Sequence, residues 1–231
     1  MNITILANGL FPKSATVLRF LDQADSVVCC DGALRKYLDW YLCQNSRPTH
    51  TLSIVGDGDS LSDNWLLDAE HAGIDFHHQI VSEQETNDLS KAVRHAIGDT
   101  RQKGVNDNDI DITILGATGL REDHTLGNIS LLAYYITQYP DISFRMVSDF
   151  GTFSPVADRG CFASHKGEQV SLFSLTPDVP VTVSGLRYPI SNRCLKWLWE
   201  ATLNESLGDS FEVVGGLLIV YQRHLFTAFQ S

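Results

Sequence analysis

The sequence predicts an α/β protein: an N-terminal Rossmann-like domain built on a parallel sheet over residues 1–149, followed by an all-β sandwich over residues 150–231. Three observations carry that prediction. The first two-thirds of the chain alternates strand-like and helix-like segments, as βα units do. Four of its strand-like runs end in polar or glycine-rich turns, where open α/β sheets place their ligands. From Phe150 onward Gly and Pro recur, at Gly151, Pro155, Gly160, Gly167, Pro177, Pro180, Gly185 and Pro189, and the runs between them are short and β-prone.

Taken in order, Ile3–Ala7 is a strand running into Asn8-Gly9, and Ser26–Cys30 is a strand running into Asp31-Gly32. Asp31 is placed to cap a helix over Ala33–Tyr41. Leu52–Val55 is a strand entering Gly56-Asp57-Gly58-Asp59-Ser60, and His77-His78 reads as surface loop. Leu89, Ala92, Val93, Ala96 and Ile97 follow helical spacing, and Arg101–Asp111 is polar enough to be a loop. Ile112–Leu115 is a strand entering Gly116-Ala117-Thr118-Gly119. The helix after Asp123 should bury Leu126, Ile129, Leu132, Ala133 and Ile136, and Pro140 ends it. The domain boundary is expected near Asp149–Pro155. Strands are then predicted at Gln169–Leu175, Val181–Ser184 and Cys194–Ala201. Trp197 and Trp199 would share one face of the last, as sandwich core. Phe211–Val214 and Leu217–Tyr221 read as a hairpin turning at Gly215-Gly216.

A net charge of -11 argues against binding along a nucleic-acid backbone, which needs clustered Lys and Arg. It allows a nucleotide whose phosphates are screened by Mg²⁺. Met1–Leu6 lacks the basic start and cleavage site of a signal peptide, and no apolar run approaches the ~20 residues of a membrane span. Five cysteines without C-x-x-C spacing read as reduced thiols, so a cytoplasmic protein is expected.

The chemistry-bearing residues cluster at the strand ends. Asp57 and Asp59, two apart on a tight turn, can face one hard cation, although Asp and Gly are also common turn residues. Glu83–Asp88 precedes the Leu89 helix, with Thr86 or Asn87 as its cap; Asp88 offers a third carboxylate and Lys91 lies one turn on. Thr118 and Gly119 lead into a helix start, a natural anion cradle, and Arg121 can grip phosphate as a planar fork. His124 and Asn128 share a helix face distinct from the apolar stripe. Neither G-x-x-x-x-G-K-[ST] nor G-x-G-x-x-G is present.

In this order the motifs resemble the thiamine pyrophosphokinase family. They are Leu6-Ala7-Asn8-Gly9, Asp31-Gly32-Ala33, Val55–Ser60, Asp88-Leu89 with Lys91-Ala92, and Leu115–Gly119 leading to Arg121, Asp123-His124 and Asn128. Gly185–Tyr188 and Asn204-Glu205 follow in the second domain. The resemblance implies a homodimer with active sites between subunits, and transfer of the pyrophosphoryl group of ATP to the thiamine hydroxyl, giving thiamine diphosphate and AMP. It implies catalytic roles for Asp31, Asp57, Asp59, Asp88 and Arg121, with Mg²⁺ on Asp57, Asp59 and Asp88. Asn8, Lys91, Thr118, Gly119, Asp123, His124 and Asn128 would bind the nucleotide, and Tyr188, Thr202 and Asn204 the thiamine. Two positions depart from the family pattern. Asn87 precedes Asp88 where a Thr is common, with Thr86 displaced by one, and Leu203 stands where a Ser is common. The rival readings are a Mg²⁺-dependent phosphohydrolase or nucleotidyltransferase with another acceptor, and a non-catalytic nucleotide or vitamin sensor.

Overall fold

A computed structural model of the chain describes residues 1–44, 49–83 and 85–224; Gln84, within the acidic segment before the Leu89 helix, lies outside them. The protein is mixed α/β with an extensive sheet. It divides into two compact units, Met1–Asn128 with Asp141–Ser143, and Ile129–Pro140 with Phe144 onward.

In the first unit, β1 (Asn2–Leu6), β2 (Ser26–Cys30), β3 (Thr51–Gly56), β4 (Phe76–Ile80) and β5 (Asp111–Leu115) are parallel, in the order β5-β1-β2-β3-β4. The central strands are buried on both faces, which is why Ser26–Cys30 and Ile112–Leu115 read as continuous apolar runs rather than alternating ones. Helices α1 (Ala15–Asp22), α2 (Leu34–Leu42), α3 (Asp63–His71) and α4 (Asp88–Gln102) make the crossovers. Asn87 caps α4, its Oδ1 accepting the Ser90 N–H at 2.9 Å. From edge strand β4 the chain returns through α4 to β5, on the far side of β1. The winding direction therefore reverses between β1 and β5, the place where open α/β sheets form their ligand crevice beyond the carboxyl ends of the strands.

Three expectations for this unit change. His77-His78 lies within β4, whose alternation of half-buried and exposed residues is that of an edge strand. The Arg101–Asp111 stretch is only partly loop: α4 continues to Gln102, and Asp107–Asp109 form a 3-10 turn that Arg101 fastens through Asp107. Asp31 caps nothing; it opens a 3-10 turn and its carboxylate is used elsewhere.

Helix α5 (Glu122–Gln138) begins in the first unit and ends in the second. Leu126, expected to be buried, is 65% exposed, whereas Asn128, Leu132 and Tyr135 are buried at i, i+4 and i+7. Asn128, expected with His124 on a face distinct from the apolar stripe, is instead buried in line with Leu132 and Tyr135, while His124 is exposed.

The second unit is antiparallel. Strand β6 (Ser143–Ser148) pairs with β7 (Gly151–Ala163), and β7 pairs along its length with β12 (Ser210–Arg223). The other edge of β12 is shared by β9 (Pro180–Ser184) and β8 (Gln169–Ser174), which in turn pair with β10 (Ile190–Cys194) and β11 (Ala201–Glu205). Val170, Leu172, Val181, Val183, Phe211, Val213, Leu218 and Val220 form its core. Gly215-Gly216 is not a hairpin turn. Both glycines have positive φ, as a two-residue turn would need, but β12 passes through them as a bulge. β7 pairs with both flanks, Val214 with Arg159 and Leu217 with Ala157, and this keeps the strand straight on. A Cβ at Gly215 would overlap the Pro180 carbonyl of the adjacent strand. Nor is Cys194–Ala201 a strand. Trp197–Glu200 forms a turn between β10 and β11, held by the Glu200 carboxylate on the Lys196 and Trp197 N–H groups, and it leaves Trp197 68% and Trp199 72% exposed.

Candidate active site

The parallel strands deliver their polar turns to one end of the first sheet. Asp31, at the end of β2, is fully buried. Its Oδ2 accepts the Gly58 N–H at 2.5 Å, while Oδ1 is buried without a hydrogen-bond partner. Burial pushes its carboxyl above the usual range, against the Gly58 hydrogen bond. Gly56 is required beneath it: a Cβ there would overlap the Asp31 carboxylate. Asp57 and Asp59 follow on the β3 turn, and one oxygen from each of Asp31, Asp57 and Asp59 lies within 4.8 Å of the others.

Lys91 ties this group to α4. Its side chain is 1% exposed, and Nζ lies 3.3 Å from both Asp57 Oδ2 and Asp88 Oδ1. Burial alone would lower its proton affinity; hydrogen bonds to Asp57 and Asp88 outweigh that, so it is raised and the group is an ammonium. Asp57 is held low, first by the Asp59 N–H and then by Lys91. Asp88 is pushed up by burial, partly opposed by Lys91. Two carboxylates, Asp57 and Asp88, thus share one ammonium, with Asp31 and Asp59 beside Asp57. An orphaned buried carboxylate oxygen beside two more carboxylates is an all-oxygen donor set, the kind a hard divalent cation takes. Asp31 belongs to that set more directly than Asp88, which meets it through Lys91. The sequence could not show this, because the burial of Asp31 depends on Gly56 and Gly58 from the next strand.

The turns after β1 and β5 are joined. The Ala7, Gly9 and Leu10 N–H groups donate to the Leu115, Gly116 and Thr118 carbonyls at 2.9, 2.5 and 2.8 Å. Gly116 and Gly119 have φ of 65° and 90°, and a Cβ on Gly119 would press on Leu10. The side chain of Asn8 packs against Gly32, beside Asp31. Lys36, on α2, donates from Nζ to the Asn8 and Gly9 carbonyls at 2.8 and 2.6 Å. The sequence did not single it out, because its two partners lie 28 and 27 residues away in the chain.

Asn128 is buried, its Nδ2 donating to the Ala117 carbonyl at 2.8 Å, so it shapes the Gly116 turn. Arg121 and Asp123 are exposed and grip each other through two hydrogen bonds of 3.1 and 2.6 Å. Arg121 holds the Asp123 carboxyl down to about 2, with help from the His124 N–H. Thr86, the displaced hydroxyl, donates to Glu83 and accepts from Arg94, which ties both residues to α4. Cys29 and Cys30 are buried free thiols whose pKa burial raises, so neither is a nucleophile.

In the second unit Asn204 is buried, with both ends of its amide hydrogen-bonded to backbone. Its Nδ2 donates to the Tyr188 carbonyl at 2.7 Å, and its Oδ1 accepts the Tyr188 and Glu205 N–H groups at 3.0 and 2.9 Å. The Tyr188 ring is left exposed, and the Thr202 hydroxyl donates to the Trp199 carbonyl. Leu203 is 77% exposed at φ 58°, a left-handed conformation unusual for leucine, where β11 shifts register.

A parallel sheet with clustered carboxylates, a buried lysine and glycine turns at its strand ends defines a phosphoryl-handling α/β enzyme. Comparison with known proteins makes this specific. The thiamin pyrophosphokinase catalytic-domain model matches residues 17–144 and the thiamin pyrophosphokinase substrate-binding-domain model residues 151–221, so the chain belongs to the thiamin pyrophosphokinase family. A search of curated protein sequences gave no significant match. Solved structures with the same fold include thiamin pyrophosphokinase from Candida albicans, with 20% identity over 96% of this chain and 88% of that one and a TM-score of 0.76. The Bacillus subtilis thiamine pyrophosphokinase has 21% identity over 96% and 98%, TM-score 0.72. The yeast enzyme has 14% identity over 97% and 87%, TM-score 0.74. At such identities the likeness establishes the fold; the family follows from the two domain matches. Both halves of a thiamine diphosphokinase are present in one chain, and the chain is an enzyme of that activity.

Proposed function

We propose that this chain makes thiamine diphosphate at the Asp31–Asp57–Asp59–Asp88 cluster, with ATP as donor and Mg²⁺ as cofactor. The observation that carries the placement is the buried Asp31 Oδ1, without a partner and within 4.8 Å of oxygens from Asp57 and Asp59. Asp31, Asp57 and Asp59 would hold the cation, with Asp88 positioned through Lys91. A cation held there would neutralise phosphate charge. The hydroxyl oxygen of thiamine attacks the β-phosphorus of ATP in line. The bond from that phosphorus to the α-phosphate bridging oxygen breaks, AMP leaves, and the hydroxyl proton passes to the carboxylate cluster or to water. The protein contributes position and electrostatics, which suffice for a loose phosphoryl-transfer transition state. Lys91 favours the ionised forms of Asp57 and Asp88, against the burial that raises Asp88. Arg121 would exchange Asp123 for phosphate, and Asn8, Thr118, Gly119, His124 and Asn128 would shape the nucleotide side.

Residues 1–149 carry ATP and Mg²⁺ in this reading, as a Rossmann-like domain. Residues 150–231, as a β-sandwich, hold thiamine and the dimer contact. The exposed Trp197, Leu198, Trp199 and Leu203 support a homodimer, since that much apolar side chain favours cover. On the thiamine side the Tyr188 ring contacts substrate, and Asn204 with Thr202 fixes the backbone around it. Among the described residues no helix is long and apolar enough to cross a membrane, and a cytoplasmic enzyme without nucleic-acid partners fits the acidic composition. The test is product analysis with Mg²⁺, ATP and thiamine. AMP and thiamine diphosphate in equal amounts, abolished by EDTA, are expected. ADP, or ATP loss indifferent to thiamine, would contradict the assignment.

A further inference from the structure

We propose that Lys36 binds the phosphate chain of the nucleotide, its ammonium anchored on the Asn8 and Gly9 carbonyls at the mouth of the β1/β5 crevice. The identity of the anion rests on the pyrophosphokinase reading; the presence of an anion site does not. Lys36 is half-buried, and among the described residues its nitrogen has only the two neutral carbonyl acceptors. The contrast within this unit is sharp. Lys91 has two carboxylates, and Arg35, the residue before Lys36, has Asp39 and Asp68. In a chain of net charge -11, a half-buried cation without a counter-charge is an expensive arrangement unless a ligand supplies one.

The backbone at the same place directs the role to this side chain. Glycine turns at strand ends ordinarily offer N–H groups to phosphate. Here the Gly9 and Leu10 N–H groups are spent on the Gly116 and Thr118 carbonyls. Arg121, the sequence-based candidate for phosphate, is closed on Asp123. An ammonium has three hydrogens and Lys36 uses two on the carbonyls, which leaves one hydrogen and the full charge for a ligand. The crevice where the winding reverses, between β1 and β5, is where open α/β sheets bind ligands, and Asn8-Gly9 is its β1 lip. Burial lowers the proton affinity of Lys36, and a bound anion would restore it.

Lys36→Gln keeps a donor for the carbonyls and removes the charge; Lys36→Arg keeps the charge. Binding of magnesium tripolyphosphate, measured by calorimetry at two salt concentrations, needs no thiamine and no turnover. Affinity should fall tenfold or more in Lys36→Gln with a shallower salt dependence, and should return in Lys36→Arg. Binding by Lys36→Gln within twofold of the unaltered protein would overturn the proposal, as would no binding by the unaltered protein. Should Lys36→Gln fail to fold, acylation of the unaltered protein read by mass spectrometry decides: tripolyphosphate should protect Lys36, and equal modification with and without it would overturn the proposal. Tripolyphosphate binding through Lys36 in a protein that forms no thiamine diphosphate would support the anion site while contradicting the activity.

Discussion

Replacing Lys91 by Met tests whether the acidic cluster is held together electrostatically. The substitution keeps length and apolar volume and removes the charge. Lys91 Nζ lies 3.3 Å from both Asp57 and Asp88, and the side chain is 1% exposed. At an effective dielectric of ~20, each contact at that separation is worth roughly 5 kcal/mol of Coulomb attraction. Relief of the ammonium's own desolvation gives back several kcal/mol, so a net loss of about 3 kcal/mol is expected. The loss should depend on pH in a defined direction. Without Lys91 the two carboxylates lose hydrogen bonds that lower their proton affinity, so the folded variant binds protons more tightly than the folded parent. Its deficit therefore grows as pH rises out of the carboxylate range and shrinks in acid. Urea denaturation followed by circular dichroism at pH 5 and pH 8 reads this, and added Mg²⁺ should restore part of the stability at pH 8. Equal deficits at the two pH values, or a deficit below about 1 kcal/mol, would refute the reasoning.

Gly56→Ala should lower both stability and turnover, because the new methyl overlaps the Asp31 carboxylate; a cost of about 1–3 kcal/mol in a denaturation curve and weaker Mn²⁺ binding would show it. Asp31 and Asp88 have proton affinities raised above the unfolded value. Between the ordinary carboxylate range and those raised values the metal-free protein loses stability as pH rises, whereas Mg²⁺ binds the ionised forms. The melting-temperature gain on adding Mg²⁺ should accordingly be larger at pH 8 than at pH 5. Asn204→Ala removes two hydrogen bonds to Tyr188 and one to Glu205 and should cost about 2–3 kcal/mol while raising KM for thiamine more than KM for ATP. Leu203→Asn relieves a left-handed leucine and should raise stability by up to ~1 kcal/mol in the same assay.

The strand ends were legible in the sequence because parallel strands covered on both faces leave long apolar runs, and Gly and Asp mark where each stops. The acidic turn at Asp57 and Asp59 stood out for the same reason. What stayed hidden depends on neighbours distant in sequence. Asp31 looked like a helix cap until Gly56 and Gly58 were seen to close over it. Lys36 carried no signal in the sequence, because the Asn8 and Gly9 carbonyls that meet its nitrogen belong to another strand end. Gly215-Gly216 satisfies the backbone demands of a hairpin turn and of a bulge equally, and only the long β7 partner decides between them. Trp197 and Trp199 followed a strand period but lie in a turn, because Glu200 draws the backbone N–H groups of Lys196 and Trp197 onto one carboxylate. The family resemblance placed Asn204 on the thiamine side, and what the sequence did not show is that its amide is hydrogen-bonded to the backbone of Tyr188 and Glu205.

The most direct test of the acidic cluster as the seat of catalysis is thiamine-dependent AMP formation by Asp59→Asn. Asp59 is exposed on the β3 turn, so the neutral isostere should leave the circular dichroism spectrum and melting temperature near those of the parent. The account predicts that most of the turnover disappears in that folded variant. Near-parental turnover would contradict it.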